Sequence, residues 1–236
     1  MAVTWKDEDA VRQFVENRRH MPFFEQLFEA AVCLVRDVGR EPGHIVDLGC
    51  GSGATGGALR MLWPEARLTL ADNSPPMLDL ARANYGQTEG VRVIDADLGD
   101  DGVMRRIVDA PVDVVVSSAA IHHLPRDLQR ALYGEIHEAL APGGVFVNIE
   151  HTASHCERTE RLWWRWFHEL VAQSRRADGE DISADEVRRE FEPRQEVNVL
   201  TPVDEQCAWL REIGYVDVDC VYKVWEMAVF GGYRAE

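Results

Sequence analysis

The stretch from residue 45 to residue 53 constrains the fold of this chain more than any other. It reads Ile-Val-Asp-Leu-Gly-Cys-Gly-Ser-Gly, a short apolar run that contains one acid and then three glycines at alternate positions. Glycines permit a tight turn and let a ligand approach the backbone where a side chain would collide. The following ten residues have a helix-like composition and end at a proline. The sequence therefore predicts a strand, a glycine loop and a helix, the arrangement of a nucleotide-binding βα turn.

A second apolar run also ends in an acid. Residues 68–72 read Leu-Thr-Leu-Ala-Asp, and Ser74 and Pro75 then suit the N-cap and the first position of a helix. An acid at the end of the second strand is placed to bond both hydroxyls of a ribose. The glycines alone leave open a turn without a ligand, but the second acid favours a cofactor site.

Five landmarks in order make the chain similar to the class I S-adenosylmethionine-dependent methyltransferases. They are VDLGCGSG (46–53), LADNSPPML (70–78), DADL (95–98), DVVVSSAAIHHL (113–124) and LAPGGVFV (140–147). The resemblance covers roughly residues 43–150 and the C-terminal strands. It implies an α/β fold with a Rossmann-like seven-stranded sheet, helices on both of its faces, and S-adenosyl-L-methionine as cofactor. A nicotinamide dinucleotide fits less well, because its fingerprint has a sixth-position glycine and no third acid.

The same resemblance implies which residues hold the cofactor. In that family the glycine loop holds the amino-acid half, the acid after the second strand holds the ribose, and an acid after the third strand bonds the adenine. Carried onto this chain, the implied cofactor-binding residues are Asp47, Gly49, Cys50, Gly51, Gly53, Asp72, Asn73, Met77, Asp97, Leu98, Ser117 and, from the N-terminal segment, Arg19.

The composition limits the classes of partner that we expect for this chain. A formal net charge of −16 on 236 residues repels phosphate backbones, so we do not expect nucleic acid as a partner. Two alternatives stay open: a local basic patch that binds one RNA, and a charge that only keeps the protein soluble. No apolar stretch approaches the roughly 18 residues that cross a bilayer, so no membrane partner is expected. The acidic N-terminus and five cysteines without paired spacing fit a cytoplasmic protein with reduced thiols. We expect a small-molecule acceptor, and a homodimer is allowed.

Periodicity divides the predicted single domain, residues 1–236, into four parts. Residues 1–43 form an N-terminal helical cap, and residues 44–150 form a cofactor-binding core in which strands and helices alternate. Residues 151–198 form a helical insert, and residues 199–236 add a closing helix and two strands. Such alternation predicts a parallel sheet covered on both faces.

The helical insert is rich in aromatic residues and offers candidates for substrate binding. Its main apolar stripe suits packing on the sheet, which is the simpler interpretation. Alternatively the insert is an aromatic lid over the substrate, because sequence after the fifth strand lies beside the cofactor's methyl group in the family. Trp164 and His168 lie four residues apart and off the main stripe, so we expect them to face the substrate.

Two histidines are the candidates for catalysis. His122 follows the fourth strand, at a position that faces the methyl group in the family, and a histidine near its ordinary pKa suits a general base. His151, just past the fifth strand, is the second candidate, and His123 is a weaker one. The open alternative is that these histidines bond backbone or face solvent. No metal site is expected, because no further paired Cys or His motif is present.

A second resemblance gives an alternative function. Three segments of the chain are similar to the carboxy-S-adenosylmethionine synthases of transfer-RNA wobble-uridine modification. They are residues 19–24, 72–82 and 198–215. Those enzymes use prephenate, and an arginine grips the carboxylate, which places Arg194 in the candidate substrate site. The register at Arg194 is off by one residue, and the glycine loop follows the ordinary methyltransferase pattern. A non-catalytic, cofactor-binding regulator is a further alternative from a different class.

Overall fold

The computed structural model describes residues 5–236, without the side chains of residues 9, 10, 13, 14 and 194. A seven-stranded sheet runs through its centre in the order β3-β2-β1-β4-β5-β7-β6. The first five strands are parallel, and β7 is antiparallel to both of its neighbours. The strands are β1 (His44–Leu48), β2 (Arg67–Asp72), β3 (Val91–Asp95), β4 (Val112–Ser118), β5 (Leu140–His151), β6 (Val216–Val224) and β7 (Met227–Tyr233).

Nine α-helices surround this sheet in the described part of the chain. Local signals start several of them: Ser74 accepts a hydrogen bond from the Met77 backbone N–H, and Ser183 and Glu186 form a capping box. The helices are α1 (Glu8–Asn17), α2 (Phe24–Arg36), α3 (Ala54–Leu62), α4 (Pro75–Tyr85), α5 (Val103–Ile107), α6 (Arg126–Ala139), α7 (Glu157–Ala177), α8 (Ala184–Gln195) and α9 (Val203–Ile213).

Alternate side chains of the central strands fill two cores, one on each face of the sheet. Val46 and Val115 pack against α5, α6 and α9, whereas Ile45 and Val114 pack against α2 and α3. Because both faces are covered, these strands are apolar along most of their length rather than alternating with polar residues. The predicted fold class, an α/β seven-stranded sheet with helices on both faces, is confirmed.

The segment that follows β5 has a core of its own. α7 and α8 pack together through buried side chains that include Trp163, Phe167, Val171, Val187 and Phe191. Phe23 and Met227 border this cluster, so it adjoins both the start of α2 and the start of β7.

Two elements differ from the sequence-based expectation. The apolar run Val145–Ile149 predicts the fifth strand, which in the structure runs from Leu140 to His151, since Leu140 pairs with Val112 of β4 and His151 pairs with Met227 of β7. The short helix α5 carries no periodic signal in its five residues, and it was not predicted. None of the helices between Trp5 and Glu236 has an apolar stretch of membrane-spanning length. The homodimer stays a prediction.

Candidate functional site

A cavity of about 640 Å³ opens at the carboxyl ends of the parallel strands. The strand order reverses between β1 and β4, and a ligand cleft in an open α/β sheet forms at such a switch point. The cavity is lined by the loop after β1, the ends of β2, β4, β5 and β7, and the N-terminal segment with α2. Phe167 of α7 completes the wall.

The glycine loop lies between two strands with little space to spare. Gly49 has φ +64°, and a Cβ added there would stand 2.2 Å from the Ala120 Cβ. A Cβ on Gly53 would stand 2.8 Å from Leu70 and from the Tyr85 ring. The loop therefore needs glycine both for its left-handed backbone and for its close packing. Gly49 and Gly51 line the cavity, whereas Gly53, also predicted to bind cofactor, packs instead against Leu70 and Tyr85.

Asp47 combines complete burial with a free oxygen. Its Oδ2 accepts a hydrogen bond from the Gly56 backbone N–H at 2.7 Å, and its Oδ1 has no partner among the described residues. Burial raises the pKa of Asp47 to about 7, against the Gly56 hydrogen bond and Arg18, which lower it. Because Asp47 lines the cavity, its free oxygen is available to a cationic ligand group.

Arg18 lies beside Asp47 on the same wall. Its guanidinium donates to Thr55 Oγ1 at 3.2 Å and stands over the Phe24 ring, 4.7 Å from the centroid. Burial lowers the pKa of Arg18, and the charge of Asp47 raises it. A carboxylate and a guanidinium side by side suit a zwitterionic ligand.

Asp72 at the end of β2 ties the glycine loop to the start of α4. Its Oδ2 accepts from the Gly51 backbone N–H and its Oδ1 from the Ser74 backbone N–H, both at 2.8 Å. Each carboxylate oxygen can accept a second hydrogen bond, so both can still receive a ligand hydroxyl. Burial raises the pKa of Asp72, and the backbone donors lower it. Asp72 thus orders the loop besides facing the cavity.

The third carboxylate follows β3. Asp97 is exposed at the cavity rim, where its Oδ2 accepts from the Asn73 side-chain amide and its Oδ1 from the Gly99 backbone N–H. Leu98 and the buried Met77 line the cavity next to it. Cys50 is a buried neighbour in the loop, where burial and the nearby carboxylates raise the pKa of its thiol. The structure thus places all of these predicted cofactor residues on the cavity wall.

The N-terminal segment crosses the cavity. The Trp5 backbone carbonyl accepts a hydrogen bond from Ser74 Oγ, and the Trp5 indole N–H donates to His123 Nε2 at 3.1 Å. Ser74 follows β2 and His123 follows β4, so Trp5 bridges the two sides of the β1 loop. Arg18, Met21, Pro22 and Phe24 continue the wall from the same segment.

The structure corrects the choice between the two adjacent histidines. His123 lines the cavity, whereas His122 is buried behind it. His122 Nδ1 lies 2.5 Å from Glu150 Oε1, and its backbone N–H donates to the other oxygen of Glu150. The short 3-10 turn after β4 directs the two side chains differently, so His122 does not face a ligand directly. Burial and the adjacent His122 lower the pKa of His123 to about 3.

His151 is likewise outside the cavity wall. Its Nε2 lies 3.1 Å from Glu226 Oε2, and its backbone N–H donates to Glu150. Glu226, which comes from the turn between β6 and β7, is fully buried and also accepts from Ser154 Oγ. The predicted second catalytic histidine therefore belongs to a buried network behind the ends of β5 and β7.

Other predicted residues also lie outside the cavity wall. Trp164 and His168 stack on each other at 5.5 Å within the α7–α8 cluster, where burial lowers the pKa of His168 to about 4. Phe167, on the apolar stripe of α7, reaches the cavity instead. The substrate roles of Trp164 and His168 stay predictions, and the α7 side chain on the cavity wall is Phe167.

Two cofactor predictions are displaced by one residue. Ser117 is fully buried and donates to the Leu48 carbonyl at 2.8 Å, whereas Ser118 lines the cavity, since neighbouring strand residues face opposite sides. Arg19 is largely exposed and pairs with Asp178 at 3.4 Å, while Arg18 lines the cavity. The side chain of Arg194 lies outside the described residues, so its predicted substrate role stays a prediction.

The residues on the wall fit S-adenosylmethionine. Its amino-acid end carries an ammonium and a carboxylate, which match the unpartnered Asp47 oxygen and the neighbouring Arg18. Asp72 and Asp97, the carboxylates that the resemblance assigns to the ribose and the adenine, both line the cavity. No group of three or more metal-ligating side chains occurs within the described residues.

Sequence reasoning overlooked Trp5, Arg18, Ile149, Phe167 and Met227 as wall residues. The aromatic and arginine content of the N-terminal segment was a signal for the first two. Phe167 lay on a stripe that also fits a core, and nothing local distinguishes Ile149 or Met227 from ordinary strand residues.

Comparisons with known proteins agree with this geometry. Residues 45–144 match a family model described as a methyltransferase domain. The chain is 35% identical over 130 residues to trans-aconitate 2-methyltransferase of Streptomyces avermitilis, a match that covers 55% of this chain and 46% of that protein. It is 29% identical over 234 residues to carboxy-S-adenosyl-L-methionine synthase of Chromohalobacter salexigens, covering 97% of this chain and 82% of that protein.

The fold is shared with solved structures. Human N-acetylserotonin methyltransferase in complex with S-adenosylmethionine superposes with a TM-score of 0.63 at 15% identity, covering 98% of this chain and 58% of that one. The chain spans about half the length of the trans-aconitate methyltransferase that it matches, 46% in the alignment.

Proposed function

Because this chain belongs to the class I S-adenosylmethionine-dependent methyltransferases, we propose that it transfers the methyl group of S-adenosylmethionine to a small-molecule acceptor. A small molecule is favoured over a macromolecule because Trp5 crosses the cavity and Phe167 walls it, which leaves an enclosed space at the ends of the strands. A cytoplasmic location is proposed with it, on the strength of the reduced cysteines in the sequence.

One observation carries the proposal. Asp47 lies in β1, Asp72 ends β2 and Asp97 follows β3, and all three line one cavity at the ends of these adjacent strands. Their spacing along the sheet edge suits the ammonium, the ribose and the adenine of a single extended cofactor. The glycine loop between them keeps side chains away from that cofactor.

The chemistry asks the protein chiefly to position its ligands. The bound cofactor supplies an electrophilic methyl group on a sulfonium. Arg18 and the three carboxylates fix the orientation of the cofactor, and the N-terminal segment around Trp5 excludes water from it. Holding two reactants in line is the largest contribution that such a site can make.

In this proposal, His123 lies nearest to the proton that the acceptor loses when it is methylated. Its Nε2 accepts a hydrogen bond from the Trp5 indole, so the single lone pair of that nitrogen is engaged while Trp5 is in place. A pKa near 3 makes His123 a weak base, and its proposed part is to hold the Trp5 ring across the cavity beside the acceptor rather than to take a proton. His122 and His151 lie behind His123, where they pair with the buried carboxylates of Glu150 and Glu226.

Calorimetry tests the cofactor directly. S-adenosylmethionine and S-adenosylhomocysteine should bind the purified protein and raise its melting temperature, because they bind only the native state. Nicotinamide dinucleotides serve as the matched control, since they share the adenine and ribose but lack the amino-acid end. Preferential binding of the dinucleotides would contradict the proposal.

A carboxy-S-adenosylmethionine synthase activity is the second candidate. It is favoured by the relative that aligns along 97% of this chain, farther than the methyltransferase match. Mass spectrometry of the ligand that co-purifies with the protein separates the two, because a carboxylated cofactor is heavier than S-adenosylmethionine. Finding the carboxylated form would replace the methyltransferase proposal.

A further inference from the structure

Charge is unevenly distributed around the cavity. Among the described residues that line it, the charged ones are Lys6, Arg18, Asp47, Asp72 and Asp97. The three carboxylates lie at or just after the ends of β1, β2 and β3, which form one side of the sheet.

The two lining cations, Arg18 and Lys6, both come from the N-terminal segment, and contacts place Arg18 on that same side. Arg18 bonds to Thr55 in the first turn of α3, directly after the glycine loop. Lys6 is adjacent in sequence to Trp5, whose carbonyl accepts the hydroxyl of Ser74 after β2. Arg18 and the three carboxylates thus belong to the half of the cavity that fits the cofactor, and none of the described lining residues from β4, β5, β7 or α7 is an arginine or a lysine.

The opposite half is formed by uncharged residues. Ile149 and Met227 come from β5 and β7, and Phe167 comes from α7. Small and apolar residues after β4 complete it, and its polar side chains are Ser118 and His123.

Buried carboxylates lie directly behind this apolar half. Glu150 follows Ile149 in β5, and Glu226 precedes Met227 at the start of β7. Their exposed fractions are 1% and 0%, and they pair with His122 and His151. An anion placed against Ile149 or Met227 would approach these carboxylates, and the described lining residues of β5, β7 and α7 include no arginine or lysine to pair with it.

We propose that the acceptor is an uncharged, largely apolar molecule of ring size, held by this half with its reacting polar group toward Ser118 and His123. The inference rests on the proposed function, because it assigns the other half to the cofactor. Apolar surface placed here gains roughly 25 cal/mol per Å². A carboxylate placed here would lose its hydration without a compensating partner.

A pair of probes that differ in charge tests the assignment. 2-Naphthol and 2-naphthoate share one ring system, but at neutral pH a phenolic hydroxyl stays protonated and a carboxylic acid is ionised. Each is titrated by calorimetry into protein saturated with S-adenosylhomocysteine. We expect 2-naphthol to bind at least about tenfold more tightly than 2-naphthoate. Equal or tighter binding of 2-naphthoate, or no binding of 2-naphthol, would overturn the inference.

The titration with S-adenosylhomocysteine distinguishes a failure of this inference from a failure of the proposed function. A protein that fails to bind S-adenosylhomocysteine fails the proposed function, and the acceptor assignment falls with it. A protein that binds S-adenosylhomocysteine and prefers 2-naphthoate overturns the acceptor class alone.

Charge-introducing variants locate the binding. Phe167→Lys and Met227→Lys place a cation on the apolar half, and the second variant is included because a lysine at the buried Phe167 can unfold α7. Leu162→Lys is the matched control, since Leu162 lies on the same helix and is 38% exposed. In variants that still bind S-adenosylhomocysteine, the preference for 2-naphthol should fall by about tenfold or reverse. The inference would be overturned if Phe167→Lys and Met227→Lys both retained the preference for 2-naphthol while Leu162→Lys abolished it.

Discussion

The two halves of the cavity are built in different ways. The half beneath β1, β2 and β3 presents three carboxylates, two of which accept backbone hydrogen bonds from the glycine loop or the segment beside it. The half beneath β4, β5 and β7 presents apolar side chains from segments that are distant in sequence, such as Ile149, Phe167 and Met227. The first half suits one ligand with fixed groups, and the second can change its ligand by exchanging side chains.

This difference explains how one fold can keep a cofactor and vary an acceptor. In the charged half, a substitution disturbs both the ligand and the backbone of the loop, because Asp72 bonds to Gly51. In the apolar half, a side chain such as Met227 contributes mostly contact area, and similar shapes substitute for one another at small cost. Fold alone therefore leaves the acceptor open.

The largest expected effect concerns the support behind the apolar half. His122→Ala should lower the free energy of unfolding by about 3 kcal/mol, because it removes the histidine that pairs with the buried Glu150. Urea unfolding measures the loss. Glu150→Gln together with His122→Ala should recover part of it, since the buried charge is then absent.

His123→Ala is the matched control for that stability measurement, and it should unfold nearly as the wild type does. If His122→Ala unfolded like the wild type while its turnover collapsed, His122 would face the ligand, and the division between the two histidines would be wrong.

Asp72→Ala should produce the largest change in cofactor affinity. Hydrogen bonds to a charged partner contribute roughly 1.5–3 kcal/mol each, so we expect S-adenosylhomocysteine to bind at least about tenfold more weakly. Asp79→Ala, on the exposed side of α4, is the control and should leave the affinity unchanged. An unaltered affinity in Asp72→Ala would remove that carboxylate from the charged half.

The sequence predicted most of the charged half and little of the apolar one. Asp47, Asp72 and Asp97 follow directly from motifs, because each is fixed to a strand end by neighbouring residues. Ser117 was chosen where Ser118 faces the cavity, and Arg19 where Arg18 does. A shift of one residue reverses the face of a strand, and motif spacing does not determine that face.

Phe167 and Met227 could not be predicted from local sequence. Phe167 lies on an apolar stripe that also fits a helix core, and Met227 looks like an ordinary strand residue. Their place on the wall depends on how α7 and β7 pack against β5, which is decided by tertiary contacts. The seven-stranded sheet itself was predictable, because alternating strands and helices allow few topologies.

Asp47 should make cofactor binding depend on pH. Its pKa is raised to about 7, so the carboxyl is protonated below that pH and cannot pair with an ammonium. We expect S-adenosylhomocysteine to bind about tenfold more weakly near pH 6 than near pH 8. Asp47→Asn should bind weakly at both values, and a wild-type affinity independent of pH would contradict the assignment.

The same shift has a consequence for the ligand-free protein. Because the folded-state pKa of Asp47 lies above its ordinary value of 3.8, its contribution to stability is complete below that value and is lost as the pH rises through about 7. Asp47→Asn should therefore gain stability relative to the wild type at alkaline pH, measured without cofactor.

Trp5 should control how long the cofactor stays bound. The Trp5 indole N–H bonds to His123 across the cavity, and losing a hydrogen bond worth about 1 kcal/mol should speed release of S-adenosylhomocysteine about fivefold. Stopped-flow fluorescence measures this rate in Trp5→Phe, which keeps a ring but lacks the donor. Hydrogen exchange in residues 5–20 should slow when cofactor is added. Equal exchange with and without cofactor would make this segment an ordinary packing element.

His123→Ala should have the smallest effect, and it tests the role of the residue at the boundary between the charged half and the apolar half of the cavity. With its pKa lowered to about 3, His123 is neutral throughout the ordinary pH range and contributes a hydrogen bond rather than strong base catalysis. We expect turnover to fall about threefold, because a neutral hydrogen bond contributes about 0.5–1.5 kcal/mol. The ratio of wild-type to variant turnover should stay constant across the range near 6.5 in which an ordinary histidine titrates. A ratio that rises steeply through that range, together with a loss of turnover above about a hundredfold, would identify His123 as a general base. The apolar half would then contain a charged catalytic group, which contradicts its description as uncharged.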